Sequence, residues 1–340
     1  MNNELIGVGV IGAGIMGQAH AASLAMDART RLVGTAGLPR ASAESLAEAH
    51  GGYSTDDYTA LLEDPEIDYV TVATPDHLHH RICSEAINAG KHVFVEKPLT
   101  TSLEEADQLI TLATSAERVL MTCFNHRWIP AYAEAKARLQ AGDVGRPRMA
   151  YARKNDRIYV PTEMLSWADN TTCAWFLSSH DIDLVSWFFN ARPVSAYAVS
   201  ARGVLENKGI ETLDSVQALV RYDSGAFATF ESCWIYPNSF PTMTDSFIEV
   251  VGEDGVIHLP RTDDQIQLAR EGAFEYPRLS IGADVHGQRL GAVTAALHHM
   301  TTCVAEGREP LVTASSSRDV IAVLDAIHRS IDSGQVEEVA

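Results

Sequence analysis

The chain has 340 residues, which at roughly 150 residues per domain indicates about two domains and enough chain for a large hydrophobic core. Hydrophobic residues make up 46% of the sequence and charged residues 21%, a composition that excludes disordered, collagenous and coiled-coil chains. The formal net charge is −19 at pH 7, so nucleic acid and anionic membranes are poor partners, and anionic ligands require local positive patches.

The five cysteines stand singly, without a Cys-x-x-Cys pair, which indicates reduced thiols rather than a disulfide framework or a structural zinc site. Three neighbouring histidines, His77, His79 and His80, lack a carboxylate or thiol at zinc-like spacing, so we expect no metal. The first four residues lack the positive segment of a secretory signal, and the apolar run over 5–17 is too short and glycine-rich to span a membrane. We therefore expect a cytoplasmic protein.

Over the first 125 residues, short β-branched runs alternate with alanine-rich helical stretches, a pattern that predicts parallel strands joined by crossover helices. Strands are predicted at 5–11, 31–36, 69–73, 92–95 and 119–124, and helices near 15–26, 41–49, 77–89 and 102–116. We predict that residues 1–125 form a dinucleotide-binding Rossmann domain, an α/β fold with a doubly wound parallel sheet.

After Pro130 the pattern changes to one more helix, ending near Gln140, followed by longer alternating strands. Strands are predicted at 194–203, 216–222, 226–235, 247–251 and 256–259, and helices near 288–305 and 316–332. Residues 126–340 are therefore predicted to form an α+β domain on an open, mostly antiparallel sheet that binds substrate. A sheet covered on one side leaves an apolar face exposed, so we also expect a homodimer or homotetramer.

The first predicted strand runs directly into a glycine loop, Gly12-Ala-Gly14-Ile15-Met16-Gly17, that opens a helix. In this context Gly12 allows the turn, Gly14 lets the backbone approach a pyrophosphate, and Gly17 lets helix and strand pack closely. The helix N-terminus supplies positive potential for the anion. The loop, including Ile15 and Met16 at the helix start, is predicted to bind a dinucleotide coenzyme.

The end of the second strand reads Ala36-Gly37-Leu38-Pro39-Arg40 and lacks the carboxylate that usually binds the ribose of NAD. Gly37 leaves room for an extra phosphate and Arg40 has the charge to bind it, which favours NADP slightly over NAD. Arg40 is equally consistent with a solvated residue at a helix start. On the NADP interpretation, Gly37→Asp is expected to swing the preference toward NAD.

Two further strands end at Thr74-Pro75 and at Glu96-Lys97-Pro98, and ligands of open α/β sheets bind at the carboxyl ends of strands. Together with the glycine loop, these residues resemble the Gfo/Idh/MocA oxidoreductase family. The resemblance extends along the chain through His79, the segment 89–93, Asn125-His126-Arg127-Trp128 and the segment 303–310.

This resemblance implies an enzyme that transfers hydride to or from a nicotinamide coenzyme, with Thr74, Pro75, His79, Glu96 and Lys97 beside that coenzyme. Lys97 is then the group that stabilises the alkoxide formed as hydride leaves carbon. We expect Glu96 to position the turn that carries Lys97 or to pair with a base. In family members the bond before the proline corresponding to Pro98 is often cis.

The family's second catalytic stretch, Asp-x-x-x-His-x-x-Asp, is represented here by Phe176, His180 and Asp183. His180 and Asp183 are adjacent on one helical face, and an ordinary histidine pKa near 6.5 suits acid/base chemistry at neutral pH. We predict that His180 is the general base, with Asp183 also in the catalytic set. Because Phe176 replaces the first Asp of this stretch, the substrates of family members are an unreliable guide to the substrate of this chain.

Substrate contacts are predicted from aromatic, amide and basic side chains around this region. Flat aromatic faces suit the C–H faces of a sugar ring, although most tryptophans are core residues. Arg153, Lys154 and Arg157 are ambiguous between ligand binding and solvent exposure. The candidates, besides Lys97 and His180, are Asn125, Arg127, Trp128, Lys154, Arg157, Trp167 and Trp175.

We therefore expect an NAD(P)-dependent dehydrogenase that acts on a secondary hydroxyl of a sugar, sugar derivative or cyclitol, or reduces the matching ketone. Two alternatives remain open. An NAD-dependent glycosidase would oxidise its substrate only transiently, with no net change in coenzyme absorbance. A catalytically silent coenzyme-binding regulator would bind without turnover, although the retained Lys97 and His180 disfavour it.

Overall fold

The computed structural model describes residues 5–277 and 279–340, which form two compact units. The first unit contains the described chain up to Trp128 together with Ser280–Arg318. The second contains Ile129–Leu279 and Asp319–Ala340. This division differs from the predicted 1–125 and 126–340, because the segment 280–318 packs on the helices of the first unit. Residues 1–4, where we sought a secretory signal, lie outside the described residues.

The first unit alternates strands and helices. Its strands are β1 (Ile6–Ile11), β2 (Thr30–Ala36), β3 (Tyr53–Thr55), β4 (Tyr69–Val72), β5 (His92–Val95) and β6 (Leu120–Thr122). Its helices in this part are α1 (Ile15–Leu24), α2 (Arg40–His50), α3 (Thr59–Glu63), α4 (His79–Asn88) and α5 (Leu103–Ser115). Sequence patterns missed β3 and α3, since elements of three and five residues are too short to show a clear period.

The six strands of the first unit form one parallel sheet in the order β3-β2-β1-β4-β5-β6. This is the strand order of a doubly wound dinucleotide-binding fold, and it confirms the predicted Rossmann sheet. Because all strands run the same way, the loops after β1, β4 and β5 leave the same edge of the sheet. The glycine loop, Thr74 and Lys97 therefore lie along one edge.

The segment 280–318 adds a small hairpin and a helix to this unit. In chain order after the strands of the second unit, these are β15 (Ala283–Val285), β16 (Gln288–Leu290) and α8 (Ala292–Glu306). Two buried hydrogen bonds tie α8 to the Rossmann elements: Ser23 Oγ lies 2.8 Å from Thr294 Oγ1, and Tyr69 OH lies 3.1 Å from Thr301 Oγ1. The late segment thus completes the first unit.

The second unit begins with a helix and a long strand. Its helices are α6 (Pro130–Ala141), α7 (Ser179–Phe189) and α9 (Ala314–Ser333, of which residues from Asp319 belong here). Its strands are β7 (Pro147–Arg157), β8 (Pro193–Ala201), β9 (Ser215–Tyr222), β10 (Phe227–Tyr236), β11 (Thr244–Gly252), β12 (Val256–Pro260), β13 (Leu268–Arg270), β14 (Ala273–Glu275) and β17 (Glu337–Glu338). Two π-helical segments, Val160–Met164 and Ala174–Ser178, follow β7.

Seven strands of the second unit form one sheet in the order β12-β11-β7-β10-β9-β8-β17. All neighbouring pairs are antiparallel except β7 with β10, which confirms the predicted open, mostly antiparallel sheet. One face is buried beneath helices, as the hydrogen bond from the Ala198 backbone N–H to Ser330 Oγ of α9 illustrates. The other face carries exposed apolar side chains.

Among the described residues, no helix combines the length and the apolar composition that crossing a bilayer requires.

Candidate functional site

The glycine loop connects β1 to α1, and each glycine has a different environment. Gly12 has φ of +103°, and a Cβ there would collide with the carbonyl of Ala73. A Cβ at Gly17 would collide with the carbonyl of Gly12, so helix and loop approach as closely as the backbone allows. A Cβ at Gly14 would meet nothing within 4 Å. The space at Gly14 is therefore open to a ligand.

The N-terminus of α1 fits the pyrophosphate of a dinucleotide. Its N-cap is Gly14, no side chain caps it, and no acidic residue stands in its first turn. The first backbone N–H groups of the helix are thus available to an anion. Ile15 is 67% exposed, and together with Met16 it lines a cavity of about 660 Å³ between α1, α2 and the 281–289 segment.

The end of β2 is closer to the glycine loop than the sequence indicated. A Cβ at Gly37 would lie 2.6 Å from Ala13 Cβ, so any side chain there displaces the loop. Gly37 is therefore required by packing, and Gly37→Asp is not the clean test of coenzyme preference that we expected. Arg40 begins α2, and its Nε donates to Glu44 Oε1 at 3.0 Å in an exposed ion pair.

Thr74 and Pro75 follow β4 at the same edge of the sheet. The backbone N–H of Ala73 donates to Ile11 O at 2.7 Å, which ties this strand end to β1 beside the loop. Thr74 Oγ1 is buried and has no hydrogen-bond partner among the described residues. A buried hydroxyl without a partner is costly, so a ligand that bonds to it is a natural complement.

Lys97 follows β5, and the Lys97–Pro98 peptide bond is cis. The neighbouring Glu96 is buried, and its Oε1 lies 3.0 Å from His20 Nε2 while its Oε2 accepts from the Lys97 backbone N–H at 3.3 Å. Burial raises the pKa of Glu96, but the hydrogen bond from His20 and the charges of His20 and Lys97 outweigh it, so the pKa is lowered. Glu96 is held as a carboxylate.

Cys123 completes a buried group with His20 and Glu96, in which three atoms of metal-ligand type lie within 4.8 Å of one another. The direct hydrogen bond between His20 and Glu96 occupies the space between them. Burial raises the pKa of the Cys123 thiol, so the sulfur stays protonated. We therefore describe this group as a hydrogen-bond network.

His79 begins α4 and is buried, and a coenzyme contact from it remains a prediction. Its Nδ1 lies 2.7 Å from Pro98 O and its Nε2 lies 3.0 Å from Thr74 O. Burial lowers the pKa of His79, although Asp76 and Glu96 favour its charged form. Both ring nitrogens thus face backbone carbonyls at the ends of two strands.

In the second unit, His180 and Asp183 lie on the first turns of α7, directly after the π-helical segment. Asp181, between them, forms a buried ion pair with Lys154 of β7, with Nζ 2.6 Å from Oδ1. Ser246 Oγ of β11 also accepts from Lys154 at 3.1 Å. Burial raises the pKa of Asp181, while the charge of Lys154 opposes that rise.

Phe176 belongs to an aromatic cluster one turn before His180. Its ring lies 6.1 Å from that of Trp167 and 5.7 Å from that of Trp234, which is fully buried. Both distances are in the range for favourable edge or tilted aromatic contacts. The residue that replaces the family's first Asp is thus anchored among aromatic rings rather than in a polar network.

The other predicted substrate residues divide between buried and partly exposed positions. Asn125 and Arg127 are buried in a short 3-10 helix, and Arg127 Nη1 donates to Leu311 O at 2.9 Å. Trp128 packs on His299 at 5.4 Å, and Trp175 stacks on His328 at 5.2 Å. These contacts are packing contacts, and a substrate role for these residues remains a prediction.

Arg157, the last residue of β7, is partly exposed, and its Nη1 donates to Asn238 O at 3.2 Å. A substrate contact from Arg157 likewise remains a prediction.

Sequence reasoning missed His20 and Asp181. His20 lies three residues after the glycine loop, and the pattern of that helix gives no reason to single out one histidine. Asp181 stands directly after His180, and only its distance to Lys154 reveals the pair. Lys154 was singled out only as a basic residue, because the strand that carries it was not predicted, and a charged residue buried on a strand requires a partner.

Comparison with known proteins identifies the family. The profile described as an oxidoreductase family with an NAD-binding Rossmann fold matches residues 6–124, and the GFO/IDH/MocA C-terminal domain profile matches residues 132–258. The chain belongs to the Gfo/Idh/MocA oxidoreductase family. This membership confirms the resemblance drawn from the sequence, the predicted fold class and the predicted oxidoreductase enzyme.

Curated members of the Gfo/Idh/MocA family resemble the chain over much of its length. Scyllo-inositol 2-dehydrogenase (NAD(+)) of Bacillus subtilis (strain 168) is 32% identical over 314 residues, which cover 89% of this chain and 87% of that protein. Levoglucosan dehydrogenase of Pseudarthrobacter phenanthrenivorans is 32% identical over 265 residues, 67% of each chain.

A solved structure, that of myo-inositol 2-dehydrogenase from Lactobacillus plantarum, superposes with a TM-score of 0.86 at 21% identity. The match covers 99% of this chain and 100% of that one. At this identity the similarity establishes the fold alone.

Proposed function

We propose that this chain is an NAD(P)-dependent dehydrogenase that transfers hydride between a secondary hydroxyl of a cyclitol or sugar derivative and nicotinamide. The observation that carries this proposal is Lys97 at the carboxyl end of β5, on the same sheet edge as the glycine loop. Relatives named as inositol and levoglucosan dehydrogenases, each 32% identical, favour polyhydroxylated ring substrates.

The coenzyme, when bound, supplies the hydride acceptor or donor. We propose that the N–H groups at the start of α1 hold its pyrophosphate, because Gly14 leaves open space there and no acidic side chain opposes the charge. Thr74 Oγ1, buried without a partner among the described residues, is proposed as a hydrogen-bonding group for the coenzyme.

Lys97 and His180 are proposed as the catalytic groups. An ammonium stabilises the negative charge that develops on the reacting oxygen, and an imidazole can accept the hydroxyl proton. Asp183, one turn after His180 and buried, is proposed to orient the imidazole. These roles are assigned by the resemblance and by the chemistry of the side chains.

We propose that NADP is accepted at least as well as NAD. Residues 36–40 contain no carboxylate that would repel the extra phosphate of NADP. The B. subtilis relative is named as an NAD(+) enzyme. Arg40 forms an exposed ion pair with Glu44, and such pairs contribute about 0.3–0.5 kcal/mol, so the guanidinium is readily available to a phosphate.

A panel of inositols, levoglucosan, aldoses and glycosides, assayed with NAD and NADP by nicotinamide absorbance, tests the proposal. Coenzyme reduction with a cyclitol or anhydrosugar is the expected result. Release of an aglycone without net reduction would establish the glycosidase instead. Coenzyme binding by fluorescence without turnover on any member of the panel would contradict the proposal.

A further inference from the structure

Two buried histidines contact the two residues that flank Lys97 in the sequence. His20 of α1 meets Glu96, the residue before Lys97, and His79 of α4 meets Pro98, the residue after it. Neither histidine is more than 1% exposed, so neither contact competes with water. The turn formed by Glu96, Lys97 and Pro98 is therefore held by side chains from two different helices.

We propose that His20 and His79 are positioning residues that together set the direction of the Lys97 side chain. The inference rests on the proposed function, since that function assigns Lys97 to the reacting oxygen. The ammonium of a lysine is a point charge on a flexible four-carbon stem, so its placement depends on the backbone from which it extends. A displacement of about 1 Å in a catalytic group costs on the order of 100-fold in rate.

His20 acts on the turn through Glu96. Its Nε2 donates to one carboxylate oxygen at 3.0 Å, and the other oxygen accepts from the Lys97 backbone N–H at 3.3 Å. The carboxylate is thus restrained at both oxygens. The edge-to-face contact of His20 with Phe94, at 5.4 Å and 71°, orients the imidazole. A continuous path leads from α1 to the backbone of Lys97.

His79 acts on the turn through Pro98. Proline has no N–H, so the Pro98 carbonyl is its one backbone hydrogen-bonding group, and His79 Nδ1 lies 2.7 Å from it. Nε2 lies 3.0 Å from Thr74 O, at the end of β4. The neutral imidazole donates through only one nitrogen, so His79 hydrogen-bonds one of these two strand ends and contacts the other. We assign the effect on Lys97 to the Pro98 contact, which adjoins it.

Three substitutions of His79 separate the two contacts. The amide nitrogen of asparagine occupies the place of Nδ1 and that of glutamine the place of Nε2, so His79→Asn keeps the bond to Pro98 and His79→Gln keeps the bond to Thr74. We expect His79→Gln and His79→Leu to lower kcat about 10- to 100-fold with coenzyme Kd little changed, and His79→Asn to stay near wild type.

The neighbouring histidine offers a matched control. His80 lies on the same helix and is partly exposed, and its Nδ1 lies 3.9 Å from Glu105 Oε1. His80→Leu is expected to leave kcat unchanged. An equal loss in His80→Leu and His79→Leu, or a loss in His79→Asn as large as in His79→Gln, would overturn the assignment to Pro98.

His20 is tested by His20→Gln, which keeps a donor at the position of Nε2, and by His20→Leu, which does not. A lower kcat in His20→Leu and recovery in His20→Gln are expected. If both histidines act through Lys97, neither leucine substitution lowers the residual kcat of Lys97→Ala any further. A further loss in that background would show an effect independent of Lys97 and refute the proposal.

Hydrogen exchange tests the positioning role without any substrate. We expect the amides of Glu96 and Lys97 to exchange faster in His20→Leu and His79→Leu than in His80→Leu, read by mass spectrometry of peptides that cover residues 95–101. Unchanged exchange in both would refute the proposal. An enzyme that turns over no cyclitol or sugar but shows the expected exchange would contradict the proposed function alone.

Discussion

Lys154 Nζ and Asp181 Oδ1 lie 2.6 Å apart inside the second unit, with 3% and 1% of the two side chains exposed. The pair joins β7 to the first turn of α7, next to His180. Because both charges are removed from water, each depends on the other, and Ser246 Oγ supplies a further acceptor to Lys154. The orientation of the helix that carries His180 is thus linked to a buried charge pair.

Removing one member of this pair is expected to destabilise the protein. Lys154→Met leaves the Asp181 carboxyl buried without its cation, and we expect a loss of about 3 kcal/mol in the free energy of unfolding, measured by urea denaturation. Lys154→Met combined with Asp181→Leu should recover most of that loss. Arg138→Gln, which breaks an exposed ion pair with Glu134, is the control and should leave the urea midpoint unchanged.

If Lys154→Met instead kept full stability and lost substrate affinity, Lys154 would be a substrate-binding residue, as the sequence suggested.

Substitution of the proposed catalytic groups should affect turnover rather than coenzyme binding. Lys97→Ala and His180→Ala are each expected to lower kcat by about 10²- to 10⁴-fold, since they remove charge stabilisation and the general base respectively. Coenzyme Kd, measured by fluorescence titration, should change little because the proposed pyrophosphate contacts are at the start of α1. Near wild-type turnover in either variant would exclude that residue from its role.

Coenzyme preference should depend on Arg40. We expect Arg40→Gln to lower kcat/KM for NADP about 10-fold, through loss of a charge-assisted hydrogen bond, and to leave NAD unaffected. Glu44→Gln, which frees Arg40 from its ion pair, should have the opposite effect on NADP. An unchanged NADP to NAD ratio in both variants would show that Arg40 is only a solvated residue at the start of α2.

A carboxylate can be introduced next to Gly37 without disturbing the glycine loop. Leu38 is 81% exposed, whereas a Cβ at Gly37 meets Ala13 at 2.6 Å. We expect Leu38→Asp to shift the preference toward NAD by repelling the extra phosphate. Gly37→Asp should lower the Tm and weaken both coenzymes, and an unchanged Tm there would contradict the packing role of Gly37.

The exposed face of the seven-stranded sheet is expected to form a homo-oligomeric interface. Tyr197, Leu219 and Thr229 form a cross-strand row on β8, β9 and β10, and Tyr197 and Leu219 are each 41% exposed. Exposed apolar side chains in rows on a broad sheet are typical of subunit contacts. We expect a dimer or tetramer by light scattering, and a smaller species for Leu219→Asp. A wild-type monomer at micromolar concentration would contradict this.

Acid should destabilise the protein through buried histidines. Burial lowers the pKa of His79 and of His328 from the ordinary value of 6.5. Between the folded and unfolded pKa values the unfolded chain binds more protons, so this stability is present above about pH 6.5 and is lost as the pH falls. We expect the Tm to decline between about pH 7 and pH 5.

His328 provides the test of that mechanism. It stacks on Trp175, its Nε2 lies 2.9 Å from Thr172 Oγ1, and Asp325 and Asp332 favour its charged form. His328→Gln should flatten the dependence of Tm on pH relative to wild type. An identical slope in the variant would assign the acid sensitivity to other groups.

Motifs with local physical causes were predictable from the sequence. The glycine loop and the strand ends at Thr74 and Lys97 each depend on residues close together in the chain. The strand of β7 was missed, although it lies near the centre of its sheet, because its alternation includes the charged residues Arg153, Lys154 and Asp156. Those charges are stabilised only by partners on other strands and helices.

The sequence by itself determined the parallel and antiparallel sheets, the coenzyme loop and the family, because periodic patterns and motif spacing are local properties of the chain. Only the tertiary structure decided that His20 meets Glu96, that His79 meets Pro98 and that Lys154 meets Asp181. These contacts join residues 19 to 76 positions apart, and hydrophobic periodicity carries no information about which distant polar groups become neighbours. The physical reason is that burial of a polar side chain requires a partner, but the fold alone decides which one is within reach.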